Sequence, residues 1–134
     1  MKAYLSRRYR FSASHRLDVA SMSPEANQMA YGKCNNPFGH GHNYTAEVCF
    51  GGPIDPVTGM VTNLADLDAF AAAKLLDPYE CSNLNTKEPF AGLVPTTENL
   101  AIVLHGIFAA YPHAKLERIH IEETSNNSFD YTAN

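Results

Sequence analysis

The 134-residue chain has little charge and little cysteine: Asp, Glu, Lys and Arg make up 18% of it, and there are three cysteines. An odd cysteine number with irregular spacing does not suggest a disulfide framework. A chain of this length buries roughly 70% of the surface it would expose unfolded, so it stands without such staples. No apolar run approaches the ~20 residues of a membrane-spanning helix. Repeats and low-complexity tracts are missing, and so is an apolar signal core in the opening MKAYLSRRYRF. These absences lead us to expect one domain over residues 1–134, cytoplasmic and without a membrane partner. Apolar residues at 45% are those of an ordinary globular core.

A net charge of −4 argues against nucleic acid as a partner. The charge is unevenly spread, however. Lys2, Arg7, Arg8, Arg10 and Arg16 all fall in the first sixteen residues, where no acid occurs. The segment is either a strand with a solvated basic face or a local anion site.

Hydrophobic periodicity orders the chain. Residues 3–15 alternate, with Ala3, Leu5, Tyr9, Phe11, Ala13 and His15 on one face, which predicts a half-buried strand. Ser23 before Pro24, with Gly32 as a stop, predicts a short helix. A loop of Cys, Asn, Pro and Gly leads to a second strand over 40–50. The Gly51-Gly52-Pro53 run is expected to break that strand, and 59–62 to return as a third. Asn63 and Asp66 cap a helix bearing Leu64, Leu67, Ala71 and Leu75, and 76–95 reads as loop. Pro95-Thr96-Thr97 opens a second helix with Leu100, Val103, Leu104, Ile107, Phe108 and Tyr111 as its buried stripe. Strands over 115–123 and 129–131 follow. The expected class is α+β, an antiparallel sheet with two helices packed on one face. So few strands leave open edges, so a homo-oligomer is expected.

Histidines end two of the core-facing stripes. His40 and His42, at i and i+2, project from the same side of their strand, and His15 terminates the apolar face of the first. Three neutral imidazoles at one rim suit Zn²⁺, with a fourth position left for water or substrate. His105 and His113 read as solvated, and His120 shares a polar face with Arg118 and Glu122. Cys34, six residues before His40, is either a thiol that a nearby cation acidifies to serve as a base or nucleophile, or a fourth ligand that closes the site. Cys49 lies on the opposite phase and reads as structural or surface. Glu123 ends an apolar phase after Ile119 and Ile121, where a carboxylate is costly unless it meets a partner. Its fork would accept two parallel N–H bonds from an aminopyrimidinone edge.

Taken in order, Phe11-Ser12-Ala13-Ser14-His15-Arg16, Gly32-Lys33-Cys34 through His40-Gly41-His42, Gly59 through Asp66, Asn83-Leu84-Asn85, Pro95-Thr96-Thr97-Glu98-Asn99 and Glu123 through Asn127 resemble the 6-pyruvoyl-tetrahydropterin synthase family. That family also contains 6-carboxy-tetrahydropterin synthase; the five-residue gap between Cys34 and His40 is similar to the pyruvoyl branch. The resemblance implies a tunnelling fold, whose sheets join into a barrel by oligomerisation, typically as a hexamer of two trimers with sites between subunits. It implies zinc on His15, His40 and His42, proton abstraction by Cys34, and a pterin ring held by Glu123 near Thr96, Thr97 and Glu98. The implied activity is that of a carbon–oxygen lyase converting 7,8-dihydroneopterin triphosphate to 6-pyruvoyl-tetrahydropterin, with triphosphate received by cations such as Arg16 and Lys33. One motif departs. Where the family usually shows Leu-Asp-His before Asn-Leu-Asn, this chain has Glu80-Cys81-Ser82 before Asn83. Aligned from Asn83, a Glu80–Cys81 pair would stand in for the His–Asp relay; aligned from Leu76-Asp77, the aspartate is kept, three residues are inserted, and the histidine is still missing. Three outcomes are left open: a changed product (the carboxy compound or a side-chain-cleaved pterin), a zinc- and pterin-binding module without turnover, or a structural zinc domain with Cys34 as fourth ligand.

Overall fold

The computed structural model describes residues 2–133. Strand β1 (Lys2–His15) is followed by α1 (Pro24–Tyr31), β2 (His40–Pro53), α2 (Leu64–Ala71) and the short helical turn α3 (Asp77–Tyr79). Then come β3 (Ser82–Asn83), α4 (Thr97–Ala109), β4 (Lys115–Glu122) and β5 (Ser128–Tyr131). The strands form one sheet in the order β3-β1-β2-β4-β5, antiparallel except that β3 runs parallel to β1.

The alternation along β1 produces its burial: Tyr9, Phe11, Ala13 and His15 are buried, and Arg8 and Arg10 on either side of Tyr9 are exposed. Tyr44, Ala46, Val48 and Phe50 of β2 and Ile119 and Ile121 of β4 continue the same face. Leu67, Ala71 and Leu75 cover it together with Leu100, Leu104 and Phe108 of α4. Truncating any of the fully buried large side chains would cost about 2–5 kcal/mol. Among the described residues, no helix is long and apolar enough to cross a membrane.

Several local expectations need correction. Gly51-Gly52-Pro53 does not break β2, because the pairs Tyr4↔Gly51, Ala3↔Gly52 and Lys2↔Pro53 extend the ladder, with Pro53 at its end where a missing N–H matters least. Residues 59–62 are not a strand. A turn closes there instead, with the Gly59 N–H donating to the Asp55 carbonyl and the Asp55 N–H to the Met60 carbonyl. The helix after Asn63 does not stop at residue 75: a π turn over Ala72–Leu76 carries it on to Tyr79. A π turn relaxes the i−4 pattern that Pro78 cannot join, and it delivers Tyr79 to the core. Leu84 and Phe90, both buried, anchor the segment read as open loop. His105 is half-buried, its ring edge-on to Tyr131 at 5.0 Å, and is not fully solvated.

Candidate metal centre

The register of β1 against β2 builds the centre. His15 lies opposite His40 and Ala13 opposite His42, so the three core-facing imidazoles meet at one end of the sheet. Gly39 permits this approach. It has φ +72°, and a Cβ there would stand 3.0 Å from the His15 carbonyl oxygen, so the chain could not cross the end of β1 with a larger residue.

The Nε2 atoms of His15 and His40 are 3.2 Å apart, and those of His40 and His42 are 2.9 Å apart. The rings stand nearly perpendicular in pairs, 82° to 87° between planes, so each presents its Nε2 edge to a common point. His15 is buried, and its Nδ1–H donates to the Pro95 carbonyl at 2.8 Å, which turns the Nε2 lone pair inward. The Tyr44 hydroxyl stands 3.3 Å from the same Nδ1. Burial pulls the His15 pKa below the ordinary imidazole range, against the opposing hydrogen bond to Pro95. Burial also pulls His42 down, against the charge of Glu123. Neutral imidazole is the form that binds a metal.

Two further donors flank the cluster. Cys34 Sγ lies 3.6 Å from His40 Nε2, and Glu123 Oε1 lies 3.3 Å from His42 Nε2 and 3.7 Å from His15 Nε2. His15, Cys34 and His40 form one group able to hold a metal ion, and His15, His42 and Glu123 another. Burial, and after it the charge of Glu123, pushes the Cys34 thiol above its usual pKa. The polypeptide alone therefore does not make a thiolate; a cation at the three Nε2 atoms reverses the local field.

The other expected site residues fall around this centre or away from it. Lys33 is exposed beside Cys34 and lines a cleft of ≈500 Å³ with Gln28, Gly32, Asn36, His40 and His42. Arg16 is half-exposed, with its guanidinium 3.4 Å from Asp18 Oδ1. Thr96 caps α4, its hydroxyl accepting from the Asn99 N–H at 3.2 Å. Thr97 is buried with no partner for its hydroxyl, and Glu98 is exposed in the first turn. Glu80 and Cys81 are not brought to the cluster. They sit at the open edge of β1, where the Cys81 N–H donates to the Ser12 carbonyl at 2.6 Å and the Ser12 N–H to Glu80 Oε1 at 3.2 Å. The Cys81 thiol, 3.3 Å from the same Glu80 oxygen, has its pKa raised by that carboxylate. Sequence reasoning missed Pro95 as the carbonyl that orients His15, Tyr44 beside it, and Asn35 behind Cys34. The Pro95-Thr96 helix start was a signal for the first, since a chain entering a helix under a sheet end brings carbonyls with it.

A family model described as 6-pyruvoyl tetrahydropterin synthase matches residues 4–134. The chain is 47% identical over 130 residues to the 6-pyruvoyl tetrahydrobiopterin synthase of Poecilia reticulata, spanning 96% of this chain and 88% of that one. To the human protein of the same name it is 45% identical over 132 residues, spanning 97% and 91%. The structure of Caenorhabditis elegans 6-pyruvoyl tetrahydropterin synthase superposes with a TM-score of 0.94 at 36% identity, over 100% of this chain and 97% of that one.

Proposed function

From the premise that the chain belongs to the 6-pyruvoyl tetrahydropterin synthase family, we propose that it is a zinc-dependent lyase converting 7,8-dihydroneopterin triphosphate to 6-pyruvoyl-tetrahydropterin with loss of triphosphate. The observation that carries this reading is the convergence of three Nε2 atoms between a thiol and a carboxylate. Tetrahedral ligands at 2.0–2.1 Å from a zinc ion stand about 3.3–3.4 Å apart, close to the spacing here, and an all-nitrogen set leaves a fourth position open. His15, His40 and His42 would hold the ion. When bound, zinc polarises substrate oxygens and stabilises the enolate-like charge that develops beside them.

The chain's own groups do the remainder. Cys34 is placed to take the proton from the side chain, and Glu123 to accept the pterin's paired N–H donors. The buried, unpartnered Thr97 hydroxyl supports a polar ligand at the start of α4, beside Thr96 and Glu98. Lys33, exposed on the cleft rim, is the cation assigned to the triphosphate; Arg16 shares its charge with Asp18 and is less available. Glu80 and Cys81 are assigned the second proton transfer. Among the described residues no polar contact joins them to Cys34, and we assign them to the site of a second copy in a homo-oligomer of the tunnelling type. Its expected form is a hexamer of two trimers.

Incubating the zinc-loaded protein with 7,8-dihydroneopterin triphosphate and analysing the pterins by mass tests the reading. The expected result is the 6-pyruvoyl product with one equivalent of triphosphate. The carboxy compound or a side-chain-cleaved pterin would mean that the Glu80–Cys81 exchange redirects the reaction. Tight binding without turnover would make the protein a pterin-binding module.

A further inference from the structure

A closed ring of contacts ties the Cys34 turn to the segment that follows β1. Arg16 Nε donates to the Asn35 carbonyl at 3.3 Å, and Arg16 Nη2 lies 3.4 Å from Asp18 Oδ1. The same Asp18 oxygen accepts from Asn35 Nδ2 at 2.9 Å. Asn35 Nδ2 also donates to the Leu17 carbonyl at 2.7 Å, and the Leu17 N–H returns to the Cys34 carbonyl at 2.7 Å. Behind the ring, Asn85 grips the Arg16 backbone: its side chain accepts from the Arg16 N–H at 2.7 Å and donates to the Arg16 carbonyl at 2.9 Å. The main chain that leaves the Cys34 thiol, at the Cys34 and Asn35 carbonyls, is thus held by residues 16–18, which continue directly from His15.

As an isolated ion pair, Arg16 and Asp18 would be worth little, because both are about a third exposed. Closure is what matters. The Asn35 amide is buried and must find partners, and the ring gives it two that lead back to the same segment. A proton-transfer group needs such fixing, since a misplacement of about 1 Å can cost 10²-fold in rate.

We propose that Arg16, Asp18 and Asn35 form a clamp that holds the Cys34 thiol against the histidine cluster, and that Arg16 is a positioning residue acting through this clamp and not a ligand for substrate phosphate. The proposal rests on the reading of Cys34 as the proton-transfer group.

The test compares Asp18→Ala, Asp18→Asn and Arg16→Lys at matched zinc content. It uses steady-state kinetics together with the rate of iodoacetamide alkylation at Cys34, resolved by peptide mass analysis. In Asp18→Ala, kcat should fall about tenfold with KM within about twofold, the signature of lost transition-state placement. Cys34 should alkylate several-fold faster as the turn loosens, with Asp18→Asn intermediate because it keeps an acceptor for Asn35. Arg16→Lys should lose kcat as Asp18→Ala does, since an ammonium cannot span both acceptors of the ring. A guanidinium that bound phosphate would behave in the opposite way. Removing Asp18 would free it, KM would fall with kcat retained, and the clamp would be overturned. Unchanged alkylation in the folded variants overturns it as well, whatever the substrate. If the wild type consumes no pterin triphosphate while alkylation still responds to Asp18, the clamp stands and the substrate reading falls. Should Asp18→Ala fail to fold, Asp18→Asn carries the test.

Discussion

Ser12 and His15 lie three positions apart on the same strand, yet the chemistry gathered at each differs in kind. At His15 the ring is buried, its two partner rings are half-buried, all three are mutually oriented, and one chain's antiparallel register supplies the three imidazoles. At Ser12 both backbone groups are taken by the Glu80–Cys81 turn, which is exposed and lies at the sheet edge. Cys81 is also the non-glycine residue held at positive φ, +56°, among the described residues. The turn borders a groove of ≈480 Å³ with Ser12, Gly41 and Asn43, which belong to the polar face of the sheet. The three imidazoles therefore meet within one chain, while the edge turn presents an exposed acid and thiol away from them, bonded to Ser12 and to each other.

Loss of a donor at the metal end should give the largest effect. His40→Ala removes the ring whose Nε2 faces the other two histidines and Cys34. Metal affinity is expected to drop by more than the ~10–100-fold seen when only an outer-shell partner is lost. Turnover should vanish with the metal. Cys81→Ala should keep one zinc per chain, as measured by elemental analysis of the dialysed protein. Equal metal loss in both variants would erase the distinction between the two ends.

The next test asks whether the two ends belong to one working site. Cys34→Ala and Cys81→Ala are each expected to be nearly inactive with zinc retained. If the thiols act in one site contributed by two chains, an equal mixture of the variants, unfolded and refolded together, should regain about a quarter of wild-type activity by random pairing. Activity that stays at the level of the separate variants would place both groups in one chain's site or leave Cys81 without a role.

How much of this was legible in the sequence follows the same division. Alternation along β1, the His-x-His pair and the phase of Glu123 depend on period-2 geometry, which a strand imposes locally, so the cluster could be assembled from sequence. The helix stripes were legible for the same reason. The π turn before Pro78, the parallel two-residue β3 and the true end of β2 depend on which long-range partners a short segment finds, and sequence carries little of that. The Arg16–Asp18–Asn35 ring was hidden because Asn35 closes it from seventeen and nineteen positions away, and a basic N-terminal segment read alone suggests an anion site. Arg7 shows the same lesson: its fork goes to Asp68, at 3.1 and 2.7 Å, and Arg8 pairs with Glu47.

The smallest effects sharpen the comparison most, because both ends use the left-handed backbone region with opposite residue choices. At the metal end Gly39 occupies it at φ +72° and closely overlies the His15 carbonyl; at the edge Cys81 occupies it at φ +56°. An L side chain in this region costs roughly 1–2 kcal/mol, and glycine loses about 0.5–1 kcal/mol more backbone entropy on folding than alanine does. Gly39→Ala should therefore destabilise by about 0.5 kcal/mol from backbone strain less the entropy that alanine saves, with a further loss because the chain must move off His15, and zinc affinity should fall with it. Cys81→Gly relieves strain but gives part of it back as entropy, so a net gain of about 0.5 kcal/mol, or roughly 2 °C in Tm, is expected. Activity should be lost at the same time, which is the pattern of strain retained for a functional side chain. Thermal unfolding of the two variants checks both signs. A Cys81→Gly protein that is no more stable than wild type would mean that the contacts of the thiol with Glu80 already repay the backbone, and the edge turn would be as settled in its own chain as the metal end.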